Sequence, residues 1–216
     1  MGSTRNGIRV SITNMKTSRR TRPYRMEARA RAAAETHRRI LEAAIRRLGD
    51  AFYDEVSLAD VAREAGVTVQ TVLRRFGSKE GLAEAATTLG LEKVRAERFA
   101  SPPGELDAAV GSLVAHYEAW GERSLRFLAQ EDRVAAIRRV TDAGRALHHE
   151  WVDHAFGPWL ARLRGASRAR RRAALVAVTD VYVWKVLRRD LGLDPRTAET
   201  VLRSLVAAVV EGEGER

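Results

Sequence analysis

Cysteine is absent from the chain, which excludes disulfides, thiolate metal sites and a cysteine nucleophile. No apolar run approaches the roughly 20 residues needed to cross a bilayer. The basic N-terminus also lacks the apolar stretch of a secretory signal, so we expect a cytoplasmic protein with no membrane partner. Proline and glycine are sparse, with 5 and 16 among 216 residues, while alanine, leucine, arginine and glutamate dominate. This composition predicts an all-α fold.

Catalytic motifs are missing as well. The sequence has no Gly-x-Ser-x-Gly, no phosphate-cradling glycine-rich loop and no cluster of metal ligands. His149 and His154 bracket a stretch similar to the His-Glu-x-x-His of zinc proteases, but their spacing would place the imidazoles about 140° apart around a helix. We therefore predict that the chain is not an enzyme and uses no cofactor or metal.

Positive charge is concentrated in the first part of the chain. The net charge is +10, and residues 1–90 hold 17 lysines and arginines against 10 acidic residues. This favours an anionic partner at that end, although an arginine-rich proteome would give the same sign. Residues 1–30 lack hydrophobic periodicity and are predicted to form a flexible basic arm. Such an arm either lies along DNA or is an extension ahead of a start at Met26.

Residues 31–80 carry the pattern of a small three-helix domain. The first helix is predicted over about 28–48, where apolar residues recur on one face. A second begins after Ser57, a good N-cap, and ends at Gly66, which suits the left-handed backbone of a C-cap. A third begins after Thr68. Two short helices joined by a tight glycine turn form a helix-turn-helix, which predicts that this domain binds DNA.

The third helix presents polar and basic side chains on its outward face. These can exchange hydrogen bonds with base edges, contact thymine methyls or reach phosphates in a major groove. The first turn also presents free backbone N–H groups, which suit a phosphate. The DNA-facing candidates are Thr68, Val69, Gln70, Thr71, Arg74 and Arg75.

A longer pattern surrounds this motif: Ile40-Leu41-Glu42-Ala43-Ala44, the run from Ser57 to Thr68, and then Thr71, Phe76, Ser78, Lys79, Glu80 and Leu82. In these residues and their ungapped spacing the chain resembles the tetracycline-repressor-like (TetR) family. The resemblance implies that Ser57 and Lys79 contact phosphates and that residues 68–75 form the recognition helix. Leu73 stands where the family usually has a tyrosine whose hydroxyl contacts a phosphate. We expect the two arginines that follow it to compensate through their charge.

Residues 81–216 are predicted to form a larger helical domain for ligand binding and dimerisation. Helices are expected at about 106–120, 124–130, 133–164 with a break at Gly157-Pro158, 169–190 and 195–211. The resemblance implies a cavity for a small apolar or amphipathic effector, whereas core packing is the alternative for each aromatic residue taken alone. The lining candidates are His116, Tyr117, Trp120, Phe127, His148, Trp151 and Phe156.

The last two predicted helices carry apolar faces that can supply a dimer interface. The resemblance implies that they pair with the same helices of a second copy in a four-helix bundle, and the alternative is a core face within one chain. The dimerisation candidates are Leu175, Val178, Tyr182, Val186, Val201, Leu205 and Val209.

These expectations together describe a sequence-specific transcriptional regulator that binds a palindromic operator of double-stranded DNA as a homodimer. The resemblance implies a repressor in which a ligand changes the spacing of the two recognition helices. Two alternatives remain open. One is a constitutive, weakly specific DNA-binding protein without an effector, and the other is a basic helical interaction protein that binds membranes or RNA.

Overall fold

The computed structural model describes residues 21–212, which form helices joined by short turns. No strand occurs in this range, and the predicted all-α class is confirmed. None of the helices in it is both long and apolar enough to span a bilayer. The elements are α1 (Thr21–Asp50), a 3-10 turn (Tyr53–Glu55), α2 (Leu58–Ala65), α3 (Val69–Phe76), α4 (Lys79–Arg98), α5 (Leu106–Leu128), α6 (Ala135–Ala155), α7 (Gly157–Leu160), α8 (Gly165–Val178), α9 (Val181–Lys185), a π-helical segment (Val186–Asp190) and α10 (Pro195–Glu211).

The chain divides into two compact units, one ending at Arg38 and the other beginning at the next residue. In the first unit the described part is the beginning of α1. This helix begins at Thr21, before the predicted start near Ala28. The early start is compatible with Pro23, because the first turn of a helix tolerates proline. Residues 1–20, most of the predicted basic arm, lie outside the described residues.

Within the second unit, the end of α1 packs with α2, α3 and α4 around a shared apolar core. The boundaries of α2 and α3 match the predicted ones because local signals set them. Ser57 Oγ accepts a hydrogen bond from the backbone N–H of Asp60 at 3.1 Å. Gly66 ends α2 with φ 65° and ψ 41°, the left-handed conformation that glycine adopts without strain. The fully buried core side chains include Ile40, Ala43, Ala44 and Val72.

The second core lies among α5, α6, α8 and α10 and contains Leu113, Trp151, Leu175 and Val206. Here two predicted boundaries are wrong. α5 runs unbroken where two helices were expected, and Gly121 lies inside it. A Cβ at this position would be 2.5 Å from Cζ3 of Trp184, so only glycine lets the Trp184 ring pack this close to the helix. Glycine at this position is needed for close packing and does not mark a chain break.

The predicted helix over 169–190 is also interrupted, between α8 and α9. Thr179 Oγ1 donates a hydrogen bond back to Leu175 O at 2.6 Å, which closes the end of α8. The Asp180 carboxylate then accepts from the backbone N–H of Tyr182 at 2.9 Å and caps α9. Asp180 and Tyr182, at this interruption, lie in the wall of the cavity described below.

Candidate DNA-binding surface and ligand cavity

Helix α3, the predicted recognition helix, buries one face and exposes the other. Val72 is fully buried against α1, α2 and α4, and this burial stabilises the domain by about 1.5–3 kcal/mol. Thr68 Oγ1 accepts from the backbone N–H of Thr71 at 3.2 Å and so caps the helix. Of the side chains predicted to face DNA, Thr68, Val69, Gln70 and Arg74 are exposed, while Thr71 and Arg75 are half-buried.

The two arginines of α3 form no ion pair with any side chain among residues 21–212. Glu64, the acidic residue of α2 nearest to them in sequence, is paired with an arginine of α1. Glu64 Oε1 accepts from Arg46 Nε at 2.7 Å, and this hydrogen bond holds the pKa of Glu64 below its ordinary value. Acidic groups of α2 are thus neutralised by other cations, and the charges of Arg74 and Arg75 remain available to phosphates.

Ser57, predicted to contact a phosphate, uses its hydroxyl within the domain. Besides accepting from the Asp60 backbone, Ser57 Oγ donates to Asp60 Oδ2 at 2.5 Å. This bond is the largest cause of the lowered pKa of the Asp60 carboxyl. A phosphate contact through this hydroxyl would require that bond to be exchanged.

Lys79, the first residue of α4, is held against the 3-10 turn. Its Nζ donates to Tyr53 O and lies 4.1 Å from the centroid of the Tyr53 ring. Burial lowers the pKa of Lys79 and raises that of Tyr53 to about 12, and the Tyr53 hydroxyl donates to Glu80 Oε1 at 3.2 Å. The ammonium has three N–H donors, so those not used by Tyr53 can still reach a phosphate.

A second candidate site is a cavity of about 370 Å³ lined by residues of α1, α4, α5, α6 and α9. Its volume lies within the range of ordinary ligand pockets. Much of the wall is apolar, with side chains such as Ile45, Val94, Phe127 and Ile137. The wall combines residues of α1 and α4, which pack around α2 and α3 in what is called here the recognition domain (residues 39–98), with residues of the larger helical part (residues 106–212).

Arg98, at the end of α4, lies in this wall and is only 3% exposed. Its Nη2 donates to Nδ1 of His148 at 3.1 Å, and its guanidinium stacks over Trp151 at 4.1 Å from the ring centroid. Burial lowers the pKa of Arg98 to about 10, so it stays charged at neutral pH. Stacking of this kind contributes about 2 kcal/mol. Burying an ion costs several kcal/mol, so the charge of Arg98 is only partly compensated.

Two histidines beside Arg98 are neutral. A guanidinium only donates, so Nδ1 of His148 accepts and its proton lies on Nε2, 3.2 Å from Thr179 Oγ1. Burial first, and then the charge of Arg98, lowers the pKa of His148 to about 3. The same causes lower the pKa of His116 to about 3, and its Nδ1 is buried with no hydrogen-bond partner among the described residues.

Five of the seven predicted ligand residues line the cavity, and Trp151 and Phe156 do not. These two are fully buried in the second core, edge to face with ring centroids 5.6 Å apart, which corrects that part of the prediction. Apolar periodicity identifies residues that face inward but does not distinguish a cavity wall from a filled core. The predicted residues in the wall are His116, Tyr117, Trp120, Phe127 and His148.

The end of α5 connects this cavity to the recognition domain. Gln130 Oε1 accepts from the backbone N–H of Tyr53 at 2.7 Å. Arg123 Nε donates to Asp50 Oδ1 at 3.1 Å, and Arg126 donates to Gly49 O. Three hydrogen bonds thus tie α5 and the residues just after it to the end of α1 and to the turn before α2.

Residues 40–86 match the model of the bacterial regulatory proteins of the tetR family. This stretch contains the helix-turn-helix and its caps. Over these residues the chain is similar to the tetR family of bacterial regulators. A comparison with curated proteins finds no match in sequence.

Several solved structures share the fold of this chain. A transcriptional regulator from Rhodococcus sp. Rha1 is 17% identical, with 81% of this chain and 96% of that one covered and a TM-score of 0.64. GusR of Salmonella enterica is 19% identical over 82% and 95%, with a TM-score of 0.64. FadR from Bacillus subtilis, solved in complex with stearoyl-CoA, is 14% identical over 82% and 100%, with a TM-score of 0.60. The matched family consists of regulatory proteins and not of enzymes, in agreement with the prediction.

The residues predicted to form a dimer interface fall into three groups. Leu175 is fully buried in the second core, so it does not lie on a surface that a partner could reach, and its assignment is corrected. Val178, Val201 and Val209 are half-buried against the same core. The exposed members are Tyr182 at 54%, Val186 at 45% and Leu205 at 41%.

Arg98 was not among the candidate site residues. A signal for it exists in α4, where Leu91, Val94 and Arg98 follow one another at helical spacing and all line the cavity. An arginine that continues an apolar stripe faces the interior, unlike one on a solvated helix face. Most of the 38 lysines and arginines of the chain lack such an apolar context.

Proposed function

We propose that this chain is a homodimeric repressor that binds a palindromic operator through α3 and leaves it when a ligand fills the cavity. The observation that carries the proposal is the position of the cavity: Ile45, Leu48 and Gly49 of α1 form part of its wall, and α1 also supplies the core under α2 and α3. A ligand in contact with this wall is therefore in contact with the scaffold of the recognition helix.

Binding of DNA by α3 is supported by exposure and charge. The helix projects Gln70 and Arg74 into solvent, and its arginines have no acidic partner among the described residues. Amide and guanidinium groups are donors for base edges in a major groove, and Lys79 and Arg75 add positive charge near the phosphates. Leu73 cannot donate a hydrogen bond, so positioning on the phosphates depends on these cations.

Dimerisation is supported by exposed apolar side chains near the end of the chain. Tyr182 and Val186 are one helical turn apart, and α10, which carries Leu205, packs against the π-helical segment. Large apolar side chains grouped in this way mark an interaction surface. Pairing with the same surface of a second copy gives an isologous interface and a second recognition helix for a two-fold symmetric site.

Control by a ligand is supported by the contacts of α5. Tyr117 and Trp120 of α5 line the cavity, and Gln130, just beyond its end, holds the turn before α2. A ligand that binds better to one spacing of the recognition helices shifts the population of dimers toward that spacing. The stearoyl-CoA bound to FadR of Bacillus subtilis is an example of an amphipathic ligand in this fold.

Selection of binding sites from a random pool of duplex DNA tests the proposal. We expect an inverted repeat whose half-sites are separated by about one turn of DNA or a multiple of it. Enrichment of an asymmetric site would contradict the homodimer on DNA. Failure to enrich any duplex would contradict sequence-specific DNA binding itself.

A further inference from the structure

We propose that the ligand of the cavity is an anionic amphipath, a monocarboxylate with an apolar body, whose carboxylate pairs with Arg98. This inference rests on the effector proposed above. It adds the charge of the ligand, its approximate size and the residue that binds its head group.

Charge balance at Arg98 is the first argument. No acidic side chain among residues 21–212 forms an ion pair with this buried guanidinium, which has His148 as its hydrogen-bonding partner. Two carboxylates do lie in the cavity wall, but both are engaged. Glu131 pairs with Arg145 at 2.5 Å, and Asp180 caps α9. A buried charge is stabilised by an opposite charge close to it, and an anion in the cavity would supply one.

Hydrogen bonding around Arg98 is the second argument. Its Nε is buried and makes no hydrogen bond within the described part of the chain, and the same holds for Nε1 of Trp151, whose ring lies under the guanidinium. Both atoms can only donate. His148 is neutral and its Nδ1 already accepts from Arg98, so it adds no competing positive charge. Among the residues of the cavity wall, the unused capacity therefore consists of the Nε donor of Arg98, together with Nδ1 of His116, which donates in one tautomer.

The cavity is large enough for a small apolar body. Its volume of about 370 Å³ lies in the lower part of the range of ligand pockets, roughly 300–1,000 Å³. A carboxylate with a chain of about ten carbons is therefore a suitable probe. Leu48, Val94, Ile137 and Val140 give the rest of the chain an apolar wall.

Decanoate, 1-decanol and decylamine form a matched series that isolates the head group, and their binding can be followed by quenching of Trp120, which lines the cavity. We expect the protein to bind decanoate at least tenfold more tightly than the alcohol or the amine, since a hydrogen bond to a charged group contributes roughly that factor or more. Equal or tighter binding of the alcohol or amine would overturn this inference about the head group. It would not contradict the proposal that the cavity binds an effector. If none of the three binds, the effector proposal fails with it.

Variants of Arg98 test the proposed contact with the carboxylate by changing the protein and not the ligand. Arg98→Met should lower the affinity for decanoate about tenfold and leave that for 1-decanol within about twofold, and the polar but uncharged Arg98→Gln should do the same. Arg133→Met, which removes an exposed arginine outside the cavity wall, is the control and should bind decanoate as the parent does. Unchanged decanoate binding in Arg98→Met would overturn the inference. If that variant does not fold, unchanged decanoate binding in Arg98→Gln would do so.

Discussion

His116 and His148 should make the protein less stable when the pH falls from about 7.5 to about 5.5, a range in which ordinary carboxyl groups stay ionised. Burial lowers the pKa of both imidazoles from 6.5 to about 3. Below 6.5 the unfolded chain therefore binds protons that the folded chain does not. The stability contributed by a lowered pKa is complete above 6.5 and is lost as the pH falls toward 3.

The magnitude follows from proton linkage. One unit below the unfolded pKa, each histidine of the unfolded chain is about 90% protonated, which costs the folded state about 1.4 kcal/mol per histidine. Two such groups give about 3 kcal/mol, a large part of a typical total of about 5–15 kcal/mol. The result depends only on both folded pKa values lying well below 5.5.

Urea unfolding at the two pH values measures this loss directly. His148→Gln and His116→Gln should each remove about half of it, because the titrating group is then gone from both states. His149→Gln removes an exposed imidazole and is the control. An unfolding free energy that is the same at both pH values, or a loss that neither buried variant reduces, would refute the reasoning.

Three further changes test the packing, the cap and the proposed interface. Gly121→Ala should destabilise the protein by about 1–3 kcal/mol in urea unfolding, because its Cβ would meet the Trp184 ring at 2.5 Å, whereas Gly144→Ala, with nothing within 4 Å, should not. Thr68→Ala should cost about 1 kcal/mol through loss of the α3 cap, and an unchanged melting temperature would contradict that role. Leu205→Arg should convert a dimer into folded monomers in sedimentation, and a dimer of unchanged affinity would exclude this side chain from the interface.

The recognition domain could be predicted from the sequence almost to the residue because its signals are local. Ser57 and Thr68 cap helices with their own hydroxyls, and Gly66 takes the left-handed position at the turn between α2 and α3. None of these depends on distant contacts. The same reasoning predicted α10 with its start at Pro195, where Asp194 accepts from the backbone of Arg196 and Thr197.

Elsewhere, distant contacts override the local pattern. Gly121 looks like a break in sequence, but the ring of Trp184 requires it inside a continuous helix. Asp180 is a good N-cap by type, yet the apolar periodicity that continues on both sides of it favoured one long helix. Only the region of the cavity could be predicted, and not its individual residues. Trp151 and His148 lie on the same helix, and tertiary packing places His148 in the cavity wall and Trp151 in the core.

The dependence of operator affinity on salt tests most directly the claim that α3 reads DNA. For the selected operator, Arg74→Ala and Arg75→Ala should each weaken binding and lower the slope of log affinity against log salt by about 1 for every phosphate that the variant no longer neutralises. Arg162→Ala, which removes an exposed arginine after α7, should leave both affinity and slope unchanged. If both α3 variants bind the operator as tightly as the parent at every salt concentration, α3 is not the recognition helix.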